Sequence, residues 1–210
     1  MKLKDFLRSN SFKCIVVLLV IALVCGAVLA FCNDLFYVSD EEMFARSIVK
    51  IYDGDASELT DLIESEDDQV TYTSYNAQAV ILDALVAADG ETWLVQSRGT
   101  GGYQNGTVTI WVNMTAEGGA LTAINKVIVD SNDGQTLINS FDDDFLATYA
   151  SEEYADVVSG GGHFTNQRMT SDSTPETEVV VSGATYTSRA INAAVNGAMD
   201  YVRERAGEGV

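Results

Sequence analysis

The 210-residue chain carries 12 Lys and Arg against 31 Asp and Glu, a formal net charge of −19, with 47% hydrophobic residues. That charge excludes nucleic-acid binding and repels the chain from an anionic membrane surface. The three cysteines, Cys14, Cys25 and Cys32, all fall in the first 32 residues. The remainder therefore holds no disulfide, thiolate metal site or cysteine nucleophile.

The length suits one domain of ordinary size plus an anchor. Cys14 to Cys32 is an uninterrupted run of apolar and small residues. At about 1.5 Å per residue it spans roughly the 30 Å hydrocarbon core, and 14–36 is expected to be a transmembrane helix. Lys2, Lys4, Arg8 and Lys13 precede it against a single Asp5, and Asp34, Asp40, Glu41 and Glu42 follow it. The positive-inside rule then places residues 1–13 in the cytoplasm and residues from about 37 onward outside. A cleaved signal peptide competes, with Val28-Leu29-Ala30 as its cleavage site, but the apolar run exceeds the usual roughly 7–15 residues. The first 32 residues hold four basic residues and one acidic one, which leaves 8 basic against 30 acidic, net −22, for the rest. Solubility outside the cell is the plain reading of that excess.

Residues 37–68 are expected to form a helical connector. Within 40–52, Met43, Phe44, Ile48, Val49 and Tyr52 recur at helical spacing behind an acidic first turn. The acidic stretch 53–68 suggests a short helix near 57–64. Strand patterns then follow at 70–75, 79–87, 93–97, 107–113 and 121–130. Turn residues separate them: Asp89-Gly90, Gly99 to Gly102, Asn105-Gly106 and Glu117-Gly118-Gly119. Trp93 and Trp111 sit in strand patterns as core residues. Helices return around 134–156 and after 188, where Ile191, Ala194, Val195, Ala198 and Val202 share one face. The fold class is α+β: an antiparallel meander with packed helices over 69–206, preceded by one transmembrane helix.

Three further features carry little chemistry. Gly160-Gly161-Gly162-His163 lacks the Lys and Ser/Thr of a phosphate-binding P-loop and reads as a flexible loop. His163 is the single histidine, so no His-based metal site or catalytic triad is built on it. Phe141-Asp142-Asp143-Asp144-Phe145 lacks calcium-loop spacing and reads as helix-capping carboxylates.

Ser182-Gly183-Ala184-Thr185, continuing as Tyr186-Thr187-Ser188, is the most informative string. It sets a threonine hydroxyl on a small-residue turn before a helix, whose N-terminal N–H groups and dipole suit a bound phosphate. An ordinary helix cap is the plain alternative.

The string S-G-A-T-x-T-S resembles the flavinylation motif of the FMN-binding domain family. Members include the extracytoplasmic FMN-carrying subunit of Rnf-type ion-translocating electron-transport complexes and its counterpart in the sodium-pumping NADH:quinone oxidoreductase. The resemblance covers roughly residues 70–205. It implies FMN joined by a phosphoester to Thr185, attached by a separate FAD-dependent FMN transferase. It also implies Ser182, Gly183 and Ala184 as the open approach, and Thr187 and Ser188 as donors to the phosphate oxygens. Gly102 and Tyr103, in the Gly101-Gly102-Tyr103 turn, match the family's glycine-rich turn. Thr136 matches its ring-contacting loop position by position, with Leu137 nearby, and the resemblance implies both as ring contacts. Where the family usually has Asp six residues before the modified Thr, this chain has Val179.

The resemblance implies an electron carrier held by other membrane subunits of an Rnf-type complex, in the bacterial cytoplasmic membrane, with its domain outside. No acid–base pair or substrate pocket marks it as an enzyme with its own substrate. A stand-alone anchored flavoprotein, or a cofactor-free anchored binding or sensor domain, are the other two readings.

Overall fold

The computed structural model describes residues 10–36, 39–74, 77–166 and 176–208. The basic residues Lys2, Lys4 and Arg8, and the end of the first expected strand at Tyr75, lie outside them. The chain divides into two compact units, one through Phe44 and one from Ala45 onward.

In the first unit, helix α1 (Asn10–Phe36) contains the apolar stretch Phe12–Asn33, of mean hydropathy 3.2. Its side chains from Ile15 to Phe31 are exposed, and 22 residues reach about 33 Å. The helix is long and apolar enough to cross a membrane, which makes it a candidate single-pass anchor.

Helix α2 (Asp40–Ile51) carries the chain into the second unit, where Ile48 and Ile51 are buried. The acidic stretch that follows does not form the helix expected near 57–64. Asp55 accepts a hydrogen bond from the Ser57 N–H and nucleates one 3₁₀ turn over Ala56–Glu58. Strand β1 (Leu59–Asp61) comes next and pairs with the sheet edge, because edge pairing satisfies its backbone where a lone acidic helix would gain nothing.

The sheet follows the expected meander: β2 (Val70–Ser74), β3 (Ala77–Ala87), β4 (Thr92–Gly99), β5 (Val108–Glu117) and β6 (Ala120–Asn132), each antiparallel to the next. β1 and β2 share the outer edge of β3: β1 faces Leu85 to Ala87, and β2 faces Ala77 to Ile81. A bulge between Ile81 and Asp83 separates the two pairings.

Alternation sends Ile81, Trp93, Val95, Ile110, Val112, Met114 and Ile124 to one face. Leu85, Leu94 and Trp111 go to the other, where Ile48 and Ile51 cover them. Both tryptophans are fully buried, as expected.

The first face takes helix α5 (Thr185–Ala206), backed by α3 (Asp143–Leu146) and α4 (Ala155–Ser159). The five residues expected to face the core, Ile191, Ala194, Val195, Ala198 and Val202, are all 0% exposed. The approach is close. A Cβ at Gly99 would collide with the Ala190 carbonyl oxygen, and one at Gly197 would collide with the Ala79 Cβ. Asp142 caps α3 by accepting the Phe145 N–H at 2.9 Å, the role expected of this acidic run. A short parallel pair, β7 (His163–Thr165) with β8 (Glu176–Glu178), was not foreseeable from alternation over three residues.

Candidate functional site at the start of the last helix

The turn bearing Ser182 to Thr185 is held from beneath. The Val179 N–H donates to the Thr165 carbonyl at 2.8 Å, and Asn192 Nδ2 donates to the Val179 carbonyl at 2.8 Å. Ser188 Oγ accepts from the Val181 N–H at 3.0 Å and donates to the Ala184 carbonyl at 3.1 Å. Gly183 stands at φ +84° with open space around it, so the left-handed backbone, not crowding, calls for glycine.

Helix α5 starts at Thr185, three residues before the expected Ser188. The reason lies in the cap. Buried Ala184 occupies it, with no side-chain cap bond, and the first turn closes through Ser188 N–H to Ala184 O at 2.9 Å. The N–H groups of Thr185, Tyr186 and Thr187 consequently have no acceptor among the described residues.

The three hydroxyls have different fates. Thr185 is exposed at the helix tip, and its Oγ1 has no partner among the described residues. Thr187 and Ser188 are 2% and 0% exposed. Thr187 Oγ1 donates to Gln135 Oε1 at 3.1 Å, and Ser188 is committed to the turn as described. The expectation that these two hydroxyls donate to a phosphate is corrected. Their protons point into the fold because helical periodicity turns both side chains toward the sheet and its loops. The unpaired backbone N–H groups of the exposed residues Thr185 and Tyr186 are the donors this helix start offers instead.

Gln135, to which the sequence pattern gives no role, gathers the segments together. It is 4% exposed, and its Oε1 accepts both Thr187 Oγ1 and, at 3.0 Å, the Tyr103 N–H. Its Nε2 donates to the Asp133 carbonyl at 2.9 Å. The Gly102–Tyr103 turn, the Thr136–Leu137 loop and the helix start therefore meet on one buried amide. Around it Tyr103, Leu137 and Tyr186 remain 45%, 46% and 54% exposed. Thr136 is exposed beside them, whereas Gly102 is buried and acts through its backbone, donating to the Gly106 carbonyl at 3.1 Å. Arg189 adds a positive charge: its guanidinium carbon lies 5.2 Å from the Tyr186 ring centre. Asn166 Nδ2 donates to the Thr185 carbonyl at 3.1 Å.

The glycine loop lies elsewhere. His163 Nε2 is 2.8 Å from Asp200 Oδ1, fifteen residues along α5 from Thr185. Arg203 donates to the Val158 and Gly162 carbonyls at 2.9 and 3.0 Å, which ties this segment down. The expected flexible loop is instead the pinned end of α4, and about 1.5 Å of rise per residue puts Asp200, the partner of His163, roughly 22 Å along the helix from Thr185.

Neither of two other features competes as a site. A cleft of about 470 Å³ lined by Ser47, Lys50, Lys126, Asp130 and Phe141 lies over β6. Asp83, beside the bulge, has its pKa pushed up to about 7 by burial and then by the neighbouring Asp61 carboxylate. Among the described residues no group of three or more His, Cys, Asp or Glu is placed to hold a metal.

No protein-family model, curated protein or solved structure matches the chain. The functional reading therefore rests on the motif and on the geometry around Thr185.

Proposed function

We propose that this chain is a membrane-anchored electron-transfer flavoprotein with FMN covalently attached to Thr185. One observation carries the reading. An exposed threonine hydroxyl sits at a helix start with three unpaired N–H groups, and Gln135 draws together beside it the Thr136–Leu137 loop that the family resemblance assigns to the flavin ring and the Gly102–Tyr103 turn that matches the family's glycine-rich turn. Those segments come from residues 102–103, 136–137 and 182–187, far apart in sequence, and a helix cap alone gives no reason for them to meet.

The residues present fit the group. The Thr185–Thr187 N–H groups and the helix dipole favour a phosphate diester. Tyr103, Leu137 and Tyr186 offer exposed apolar surface for a flat ring, and Arg189 offers a positive charge. FMN, when bound, supplies one- and two-electron transfer, while the protein sets its position and potential. The Thr185 hydroxyl has no base beside it among the described residues, so attachment needs an external FAD-dependent FMN transferase. In that step the Thr185 oxygen bonds to the phosphorus of the FMN half, the pyrophosphate bond of FAD breaks, AMP leaves and the hydroxyl proton is lost. A covalent tether also keeps the cofactor in a compartment with little free FMN.

The domain stands outside the bacterial cytoplasmic membrane in this reading, on the basic-before, acidic-after asymmetry around the anchor. Its partners are the other membrane subunits of an Rnf-type complex, in which it takes the place of the extracytoplasmic FMN-carrying subunit. Cys14–Cys32 contains no Asp, Glu, Lys, Arg or His, so ion movement belongs to those other subunits.

Co-expression with the transferase, followed by in-gel flavin fluorescence after denaturation, tests the attachment. The wild type should give a fluorescent band and Thr185→Ala none. No band in the wild type, or a band that persists in Thr185→Ala, overturns the reading. Copurification of membrane subunits from native membranes separates a complex subunit from a stand-alone carrier.

A further inference from the structure

Gln135 is placed to do more than fill space. It is nearly fully buried, yet its bonds go to two loops and a helix start that border the candidate ring surface. One oxygen serves two donors, the Tyr103 N–H and the Thr187 hydroxyl, while the nitrogen serves the Asp133 carbonyl. The surrounding backbone is shaped to admit the amide: a Cβ at Gly102 would lie 2.7 Å from both amide atoms, and one at Gly106 would collide with Nε2. The Asp133 and Gly106 carbonyl oxygens come as close to these two positions as the amide does, so the two glycines admit both the backbone approach of the loops and the Gln135 side chain between them.

We infer that Gln135 is a positioning residue for the flavin: its amide fixes the Tyr103 turn and the Thr136–Leu137 loop relative to the helix start, and thereby sets the environment of the ring. The inference rests on the flavin reading above. The attachment point itself is independent of Gln135, because the Ser182–Thr185 turn hangs on Ser188, Asn192 and Thr165. Linkage and ring environment should therefore separate.

The chemistry requires an amide. A carboxylate has nearly the same shape but no donor, so it would set a negative oxygen against the Asp133 carbonyl. It would also place a negative charge under the ring surface, which disfavours electron-rich states of a flavin. An alanine would leave the Tyr103 N–H and the Asp133 carbonyl without their partner and would release the turn.

The test uses full-length protein co-expressed with the transferase. Gln135→Ala and Gln135→Glu should label as fully as wild type in the denatured gel. Natively, both should shift the flavin absorption band and lose tyrosine quenching of its fluorescence, and Gln135→Glu should also have a lower midpoint potential. Thr187→Val removes one of the bonds with little change of volume, and it should shift the band in the same direction by less. It carries the same test should Gln135→Ala fail to fold. Amide exchange at Tyr103 in the unlabelled Thr185→Ala background should quicken when Gln135→Ala is added. Faster exchange with an unchanged native spectrum and potential makes Gln135 a purely structural bond and overturns the inference. Loss of the band in the denatured gel overturns it too, since attachment would then depend on Gln135. A wild type with no band removes the flavin reading itself, an outcome distinct from both.

Discussion

The two ends of helix α5 handle their polar groups in opposite ways. At the C-terminal end Asp200 faces His163 at 2.8 Å and Arg203 at 3.0 Å, Arg203 also bonds three backbone carbonyls, and Tyr72 donates to Glu204 at 2.7 Å. At the N-terminal end the Thr185 hydroxyl and three backbone N–H groups have no protein partner among the described residues, although the layer just beneath is fully bonded. The C-terminal groups are partly buried, where a polar group left unpaired costs about 1–3 kcal/mol, whereas Thr185 is exposed and water can serve it. The open groups at Thr185 are what a ligand would use. Side-chain pairing is concentrated at one end, and the proposed flavin attachment lies at the other.

A double dissociation would break that comparison most directly. Thr185→Val should abolish the covalent flavin band while leaving the thermal midpoint of the unlabelled protein unchanged. Arg203→Ala should retain the band and lower stability by about 2–4 kcal/mol, because it removes charged hydrogen bonds to the α4 end. Equal effects of both substitutions on stability would show that the ends are not specialised.

Asn196→Ala probes the middle of the helix. Asn196 Oδ1 accepts the Phe164 N–H and Nδ2 donates to the Phe164 carbonyl, each at 2.8 Å, in a site 1% exposed. Losing both leaves two buried backbone groups unpaired, with an expected cost of about 2–3 kcal/mol by denaturant titration. The flavin band should persist, since Asn192 rather than Asn196 holds the run-in to Thr185.

These asparagines also mark how far the sequence could be read. The five-strand meander was legible because runs of β-forming, apolar or alternating residues lie between turn residues. The core face of α5 was legible from Ile191, Ala194, Val195, Ala198 and Val202. Asn192 and Asn196 lie on the same helix one turn apart, but nothing in the string says that they grip backbone at 163–165 and 179 rather than water. The start of α5 was set three residues late because the apolar spacing begins only at Ile191, whereas the first turn closes earlier, with the Ser188 hydroxyl bonding back to Ala184. Thr185, Gly102, Tyr103, Thr136 and Leu137 were singled out through a motif resemblance. Gln135 between them was missed, since a polar residue in a loop looks identical in sequence whether it is 4% exposed or fully solvated. The one available clue was glycine at both Gly102 and Gly106, where side chains would collide with it.

The far edge of the sheet offers a pH test. Asp83 sits at the bulge between β1 and β2, with its pKa raised from 3.8 to about 7 by burial and by Asp61. Between about pH 4 and pH 7 the folded state holds a proton that the unfolded state has lost, so stability falls as pH rises through that window and levels off above it. Asp83→Asn should remove this slope and stabilise the protein at pH 8 by about 1–2 kcal/mol, the value left once solvent screening of a partly exposed carboxyl is allowed for. Denaturation midpoints from pH 4 to 8 give the slope. An unchanged slope in Asp83→Asn would assign the pH dependence to other groups.

Tyr72→Phe should have the smallest effect. The Tyr72 hydroxyl bonds Glu204 at 2.7 Å at the C-terminal end of α5, and burial followed by Glu204 holds its ionisation well above the usual range. The phenol therefore stays protonated at neutral pH and keeps its proton for the bond. It is also exposed to solvent, so water replaces either partner when the other is removed. The ring still packs against the core in the phenylalanine variant, leaving an expected loss of only about 0.5–1 kcal/mol. The native flavin spectrum should not move, because Glu204 lies nineteen residues along the helix from Thr185. A spectral shift in Tyr72→Phe would mean that the two ends communicate along α5, and their separation into a stabilising end and a binding end would have to be abandoned.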